Sequence, residues 1–141
     1  MKIVAVDGRP LAPEGEAWAG LENYGEFHYY DLSSEEEILE RAKDAEVVLT
    51  NKAQLREPLL KKLDKLRFIA VTATGYDCVD AAAARQQGIT VSNVPIYSTD
   101  SVAQFVFALV LELCHHVGLH SQSVHADEWA NQPDFSIRKT P

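Results

Sequence analysis

The stretch Arg67-Phe68-Ile69-Ala70-Val71-Thr72-Ala73-Thr74-Gly75-Tyr76-Asp77 runs from a short β-branched segment directly into a polar, glycine-bearing turn. The same pattern occurs at Asp7-Gly8-Arg9-Pro10 and at Thr50-Asn51-Lys52, each after an apolar run of strand character. In an open parallel sheet, ligands bind beyond the carboxyl ends of the strands, at the point where strand order reverses. These three turns therefore mark the expected working edge.

Working outward, five segments read as strands: residues 2–6, 26–30, 47–50, 67–72 and 90–93. Helical segments alternate with them, the signature of a parallel α/β sheet covered on both faces. Ser33 or Ser34 caps an acidic first turn, Glu35-Glu36-Glu37, which complements the helix dipole before Ile38, Leu39 and Ala42 supply an apolar stripe. A further helix follows Arg56-Glu57-Pro58, and another spans residues 79–87 and stops at Gly88. The expected architecture is a doubly wound five-stranded parallel sheet of order 2-1-3-4-5, with right-handed crossovers.

Length and composition suit one soluble domain: 141 residues, 46% hydrophobic and 24% charged. Thirteen Lys and Arg against 21 Asp and Glu leave a net charge of -8, which opposes binding to nucleic acid or to an anionic membrane. The N-terminus carries one cation and a short apolar run before Asp7, so it reads as a first strand and not as a signal peptide. Cys78 and Cys114 lack CxxC spacing and suit a reducing, cytoplasmic setting.

After the fifth strand the chain changes character. Of the 13 residues 102–114, 11 are apolar, the exceptions being Gln104 and Glu112. A helix apolar all round is expected to be buried all round, and this one is too short and interrupted to span a membrane. It reads either as a central core helix of this domain or as a surface that meets a second domain or a second copy of the chain. The expected division is a sheet domain over residues 1–100 and a helix and arm over 101–141.

The turn Thr74-Gly75-Tyr76-Asp77 joins a strand to a helix, so its N–H groups can face an anion with the helix N-terminus behind them. Gly75 lets a ligand approach the backbone, unless it is simply a turn glycine. Lys52 brings a cation to the same edge if it is more than a solvated side chain, and Asp7 and Arg9 stand at the end of the first strand. No G-x-G-x-x-G or Walker sequence is present to cradle a dinucleotide or triphosphate. A phosphoacceptor aspartate at the end of the third strand is replaced by Thr50-Asn51, which argues against a receiver domain. His116 and His120 have i,i+4 spacing within the group His115, His116, His120 and His125, but no third ligand for a metal is evident. No metal site is expected.

Together, Thr74-Gly75-Tyr76-Asp77-Cys78-Val79-Asp80, Gly88-Ile89-Thr90-Val91-Ser92-Asn93-Val94-Pro95 and Tyr97-Ser98-Thr99-Asp100-Ser101-Val102-Ala103-Gln104 resemble the N-terminal part of the D-isomer-specific 2-hydroxyacid dehydrogenases, closest to the glycerate (hydroxypyruvate) dehydrogenase branch. The resemblance covers essentially the whole chain. It implies a flavodoxin-like substrate-binding domain joined by the long apolar helix to a Rossmann domain, with the active site in the cleft between them, and a homodimer using the segment through Trp129. It implies that Thr74, Gly75 and Tyr76 hold the substrate carboxylate through backbone amides, that Asn51 and Lys52 form the neighbouring loop, and that Tyr97 reaches toward the substrate. Thr99 and Val102 fall where the linking helix approaches the nicotinamide of NAD or NADP.

The family's catalytic Arg, Glu and His and its dinucleotide fingerprint have no counterpart in these 141 residues, and the nucleotide-binding domain is expected after Pro141. Hydride transfer requires a bound cofactor, a base and a polarising cation, so the chain by itself is expected to hold substrate without turnover and to bind no cofactor. The competing expectation is a free-standing ligand-binding or dimerisation module. A portion of a two-domain enzyme should leave an apolar patch of its sheet uncovered, whereas a free-standing module should not.

Overall fold

The computed structural model of the chain describes residues 1–11 and 18–134. Strands β1 (Lys2–Ala5), β2 (Glu26–Tyr29), β3 (Val47–Thr50), β4 (Phe68–Val71) and β5 (Thr90–Ser92) alternate with helices α1 (Glu35–Ala42), α2 (Glu57–Leu60) and α3 (Ala81–Gln86). Helices α4 (Thr99–His115) and α5 (Val117–His125) follow. All four strand pairings are parallel and the order is β2-β1-β3-β4-β5, as expected from the sequence. The reversal point lies between β1 and β3, which places the ends of these strands at the edge where ligands bind.

Register explains the core. Val4 lies beside Val48, Val48 beside Ile69, and Ile69 beside Val91, so one face of the sheet presents a row of β-branched side chains. Ile38 and Ala42 of α1, Leu59 and Leu60 of α2, and Ala83 and Ala84 of α3 join that row in a single apolar cluster. Each large aliphatic side chain buried there contributes about 1.5–3 kcal/mol. Helix α1 is fixed at its start by a capping box in which the Ser34 hydroxyl accepts from the Glu37 amide and the Glu37 carboxylate accepts from the Ser34 amide. Helix α3 ends before Gly88, whose φ of +73° is the left-handed conformation that glycine adopts without strain.

The opposite face is covered differently. Among the described residues the β1–β2 connection contains no α-helix, only a 3-10 turn at Leu21–Tyr24. Trp18 stacks on Phe27 with ring centroids 5.9 Å apart and lies 5.8 Å from the Tyr29 ring. Those two residues sit beside Ile3 and Ala5 in register, so Trp18 shields the β2 side. Farther across, Val47, Leu49, Phe68 and Ala70 remain only half-buried. Among the described residues, an apolar portion of this sheet face is thus only partly covered.

The chain forms two compact units, Met1–Ile96 and Tyr97–Pro141. Within the second, α4 and α5 meet at a 60° bend, where His116 adopts a left-handed φ of 49°. The Glu112 carboxylate accepts from the Gly118 amide at 3.1 Å, which satisfies a donor at the start of α5. The expectation that α4 is buried all round as a core helix is overturned: none of its residues is buried, and Phe107 and Leu113 are 68% and 74% exposed. The physical reason is that a helix apolar on every side needs cover on every side, and α5 alone cannot supply it. No single described helix is long and apolar enough to cross a membrane, although the bent α4–α5 pair passes that test on length and composition.

Candidate functional site

The carboxyl ends of β1, β3 and β4 converge on one polar network. Asp7, the residue after Val6 beyond β1, is 4% exposed and turns its carboxylate toward the loop after β3. Its Oδ1 accepts from the Asn51 amide at 2.7 Å, and its Oδ2 accepts from the Lys52 and Ala53 amides at 2.5 and 2.7 Å. Three consecutive donors on one carboxylate hold the loop firmly, since bonds to charged groups contribute about 1.5–3 kcal/mol each. The Asn51 side chain then donates through Nδ2 to the Thr72 carbonyl at 3.0 Å and to its hydroxyl at 3.2 Å. Thr72 in turn donates through its amide to the Thr50 carbonyl at 2.8 Å.

Beyond Thr72 the chain enters the turn singled out in the sequence. Thr74 is anchored to the exit of β5: its hydroxyl donates to the Val94 carbonyl at 3.0 Å, and its own carbonyl accepts from Asn93 Nδ2 at 2.8 Å. Thr74, Gly75 and Tyr76 are exposed, and among the described residues their N–H groups donate to no acceptor in the chain. Gly75 does not occupy the left-handed region, and a Cβ built on it would meet only Asp77 Oδ1, at 3.2 Å. Neither backbone conformation nor internal packing therefore explains glycine at this position. What the glycine leaves open is the approach to the neighbouring amides.

One expectation needs correction. The N-terminus of α3 does not stand open behind this turn, because α3 begins at Ala81 and the Asp80 carboxylate accepts from the Ala83 amide at 3.0 Å. Between turn and helix, residues 78–80 pair with Leu55: the Leu55 amide donates to the Cys78 carbonyl and the Asp80 amide to the Leu55 carbonyl. The donors left without an acceptor among the described residues are thus those of the turn, with no free helix end behind them. A small cleft of about 270 Å³ opens beside them, lined by Tyr76, Ala81, Val91, Ser92 and Asn93.

The other residues fall as follows. Asn51 and Lys52 lie one strand over from the turn, Asn51 tied to Thr72 and Lys52 exposed. Cys78 is buried and its Sγ lies 3.8 Å from the Asn51 carbonyl; burial pushes the thiol above its ordinary pKa, so it is an inert packing group. Tyr97, Thr99 and Val102 belong to the second unit, where Tyr97 is 65% exposed and Thr99 opens α4. Arg9 donates its amide to the Asp31 carbonyl. Among the described residues no group of three His, Cys, Asp or Glu side chains is placed to hold a metal, the histidines of α5 included. Sequence reading missed the work of Asp7, Thr72 and Asn93; a lone carboxylate ending an apolar strand was the one signal, and its partners lie 44 to 46 residues away.

Fold and site define a parallel α/β sheet domain whose carboxyl-end edge carries a turn of amides unpaired among the described residues. The chain belongs to the family described as D-isomer specific 2-hydroxyacid dehydrogenase, catalytic domain, whose model matches residues 4–132. It is 46% identical over 144 aligned residues to the hydroxypyruvate reductase of Blautia hydrogenotrophica, an alignment covering 100% of this chain and 45% of that protein. It is 39% identical to the glycerate dehydrogenase of Methylorubrum extorquens, covering 95% of this chain and 42% of the relative. Among solved structures, an acyclic imino acid reductase in complex with NADPH and D-Arg superposes with a TM-score of 0.75 at 25% identity, covering 98% of this chain and 43% of that one. The chain thus spans a little under half the length of these proteins.

Proposed function

We propose that this chain is the substrate-binding portion of an NAD(P)-dependent D-2-hydroxyacid dehydrogenase acting on glycerate and hydroxypyruvate or a similar small acid. The observation that carries the reading is the exposed Thr74-Gly75-Tyr76 turn, with amides unpaired among the described residues beside a glycine that no conformational need explains. In this reading the turn amides hold the substrate carboxylate, with Asn51 and Lys52 on the adjoining loop and Tyr97 toward the rest of the substrate. Thr99 and Val102 are assigned to the nicotinamide side by resemblance alone. In this reading residues 1–100 serve as the sheet domain and 101–141 as the connecting and dimerising segment, a boundary four residues past the end of the compact unit Met1–Ile96. The exposed apolar α4 supports a homodimer, and two free thiols support a cytoplasmic setting.

The dinucleotide itself does not fit the residues described. The Tyr29 ring fills the space next to Gly8 in the turn after β1, and the sequence carries no G-x-G-x-x-G run to cradle a pyrophosphate. The chain's own chemistry is to bind and orient a carboxylate; hydride transfer is the work of groups outside these residues. A free-standing binding module would cover its own sheet, and the half-buried Val47, Leu49, Phe68 and Ala70 weigh against that alternative. The test is twofold. The 141-residue chain should oxidise no NADH with hydroxypyruvate, yet D-glycerate should still shift the turn amides; turnover at about one per second, ordinary for an enzyme, would contradict the reading.

A further inference from the structure

Asp7 is the one charged side chain buried among the described residues, and it makes no ion pair; its three partners are the successive amides of residues 51–53. A run of converging N–H groups is an anion-binding concavity, and here the chain fills it with its own carboxylate. Several constraints follow from that one contact. The loop after β3 is clamped to the end of β1, so the Asn51 side chain points back to Thr72, two residues before Thr74. The Asn51 carbonyl is turned toward Cys78 on the far side of the turn. The loop therefore touches the chain both before and after Thr74-Gly75-Tyr76.

We propose that Asp7 is a positioning residue for substrate: by clamping residues 51–53 it sets, through Asn51 and Thr72, the geometry of the amide turn that takes the substrate carboxylate. It touches no substrate itself, since its oxygens are occupied by the loop. This assignment rests on the carboxylate reading of the turn given above. It separates two anion-shaped sites on one sheet edge, one filled internally by Asp7 and one left open for a ligand.

The experiment is a titration of 15N-labelled chain with D-glycerate, comparing wild type with D7N, D7A and T72V. Asparagine keeps the size of Asp7 but offers one acceptor to three donors, so D7N should retain the dispersed spectrum of the core while the amides of residues 51–53 move. Its D-glycerate affinity should fall by about tenfold, the loss of one charge-assisted bond's worth of organisation. D7A lacks only the carboxylate group, and added formate should restore both the 51–53 amide positions and part of the D-glycerate response. Formate added to wild type should only compete. T72V removes the hydroxyl acceptor of Asn51 and should weaken D-glycerate while leaving the Asp7 clamp and residues 52 and 53 unmoved, which tests the relay even if D7A fails to fold. Unchanged D-glycerate affinity in D7N or in T72V would overturn the proposal. Absence of any turn shifts in wild type would instead refute the carboxylate reading, and this assignment with it.

Discussion

Replacing Gly75 by valine separates a binding role from a folding role. A Cβ at this position meets only the terminal Oδ1 of exposed Asp77, at 3.2 Å, and the backbone is outside the left-handed region. Exposed substitutions of this kind change stability by no more than about 0.5 kcal/mol, so the melting temperature should move by less than about 4 °C. Binding should respond very differently. Two turn amides on a carboxylate contribute about 3–6 kcal/mol before the cost of association is subtracted. A dissociation constant near 1 mM corresponds to about 4.1 kcal/mol, so wild-type affinity for D-glycerate is expected at millimolar levels or weaker. Branched methyl groups at Gly75 stand where the carboxylate must approach, and losing one amide alone weakens binding by about tenfold or more. The assay is an amide-shift titration of G75V alongside its thermal melt. Shifts that survive in G75V with wild-type midpoint and unchanged stability would show that the carboxylate does not approach at Gly75.

The exposed stripe of α4, with Phe105, Phe107 and Leu113 most open, predicts self-association, because burying four such side chains yields about 6–12 kcal/mol against the roughly 8.2 kcal/mol of a micromolar complex. Sedimentation should show a dimer weakened by F107E, and a clean monomer at high micromolar concentration without hydrophobic-dye binding would contradict it. Thiol labelling should divide the two cysteines: exposed Cys114 reacts at once, while Cys78 reacts only as the fold opens. Because burial raises the Cys78 pKa, the folded state keeps this proton longer than the unfolded one, and stability should fall as pH rises past the ordinary thiol range. A Cys78→Ser variant that kept the same alkaline loss of stability would show that the thiol is not its source.

Much of the sheet was legible because short β-branched runs followed by polar turns are local signals. Strand β3 was expected and found at Val47–Thr50; β1, β2 and β5 each end one residue earlier than expected, and β4 is one residue shorter at both ends. The sequence narrowed the α1 cap to Ser33 or Ser34, and the structure selects Ser34, whose capping box is completed by Glu37 three residues on. The β1–β2 connection was less legible: its anchor is Trp18 stacking on Phe27 and Tyr29, a tertiary contact with no periodic signature. Helix α4 carried a strong apolar signal, but apolarity states only that cover is needed, not that this chain provides it. At the site, Gly75 and Asn51 could be picked out from position alone. The Asp7 clamp could not, since nothing local distinguishes a carboxylate that serves amides 44 residues away from one that faces solvent.

Whether the turn takes a carboxylate is tested by comparing two ligands that differ in charge on the same wild-type chain. D-glycerate should shift the amides of Thr74, Gly75, Tyr76 and Asp77 together with those of Asn51 and Lys52, and glycerol, which keeps the hydroxyls without the carboxylate, should leave them unmoved. Equal shifts from glycerol, or D-glycerate shifts centred on the histidines between His115 and His125, would contradict the assignment of this turn as the carboxylate site.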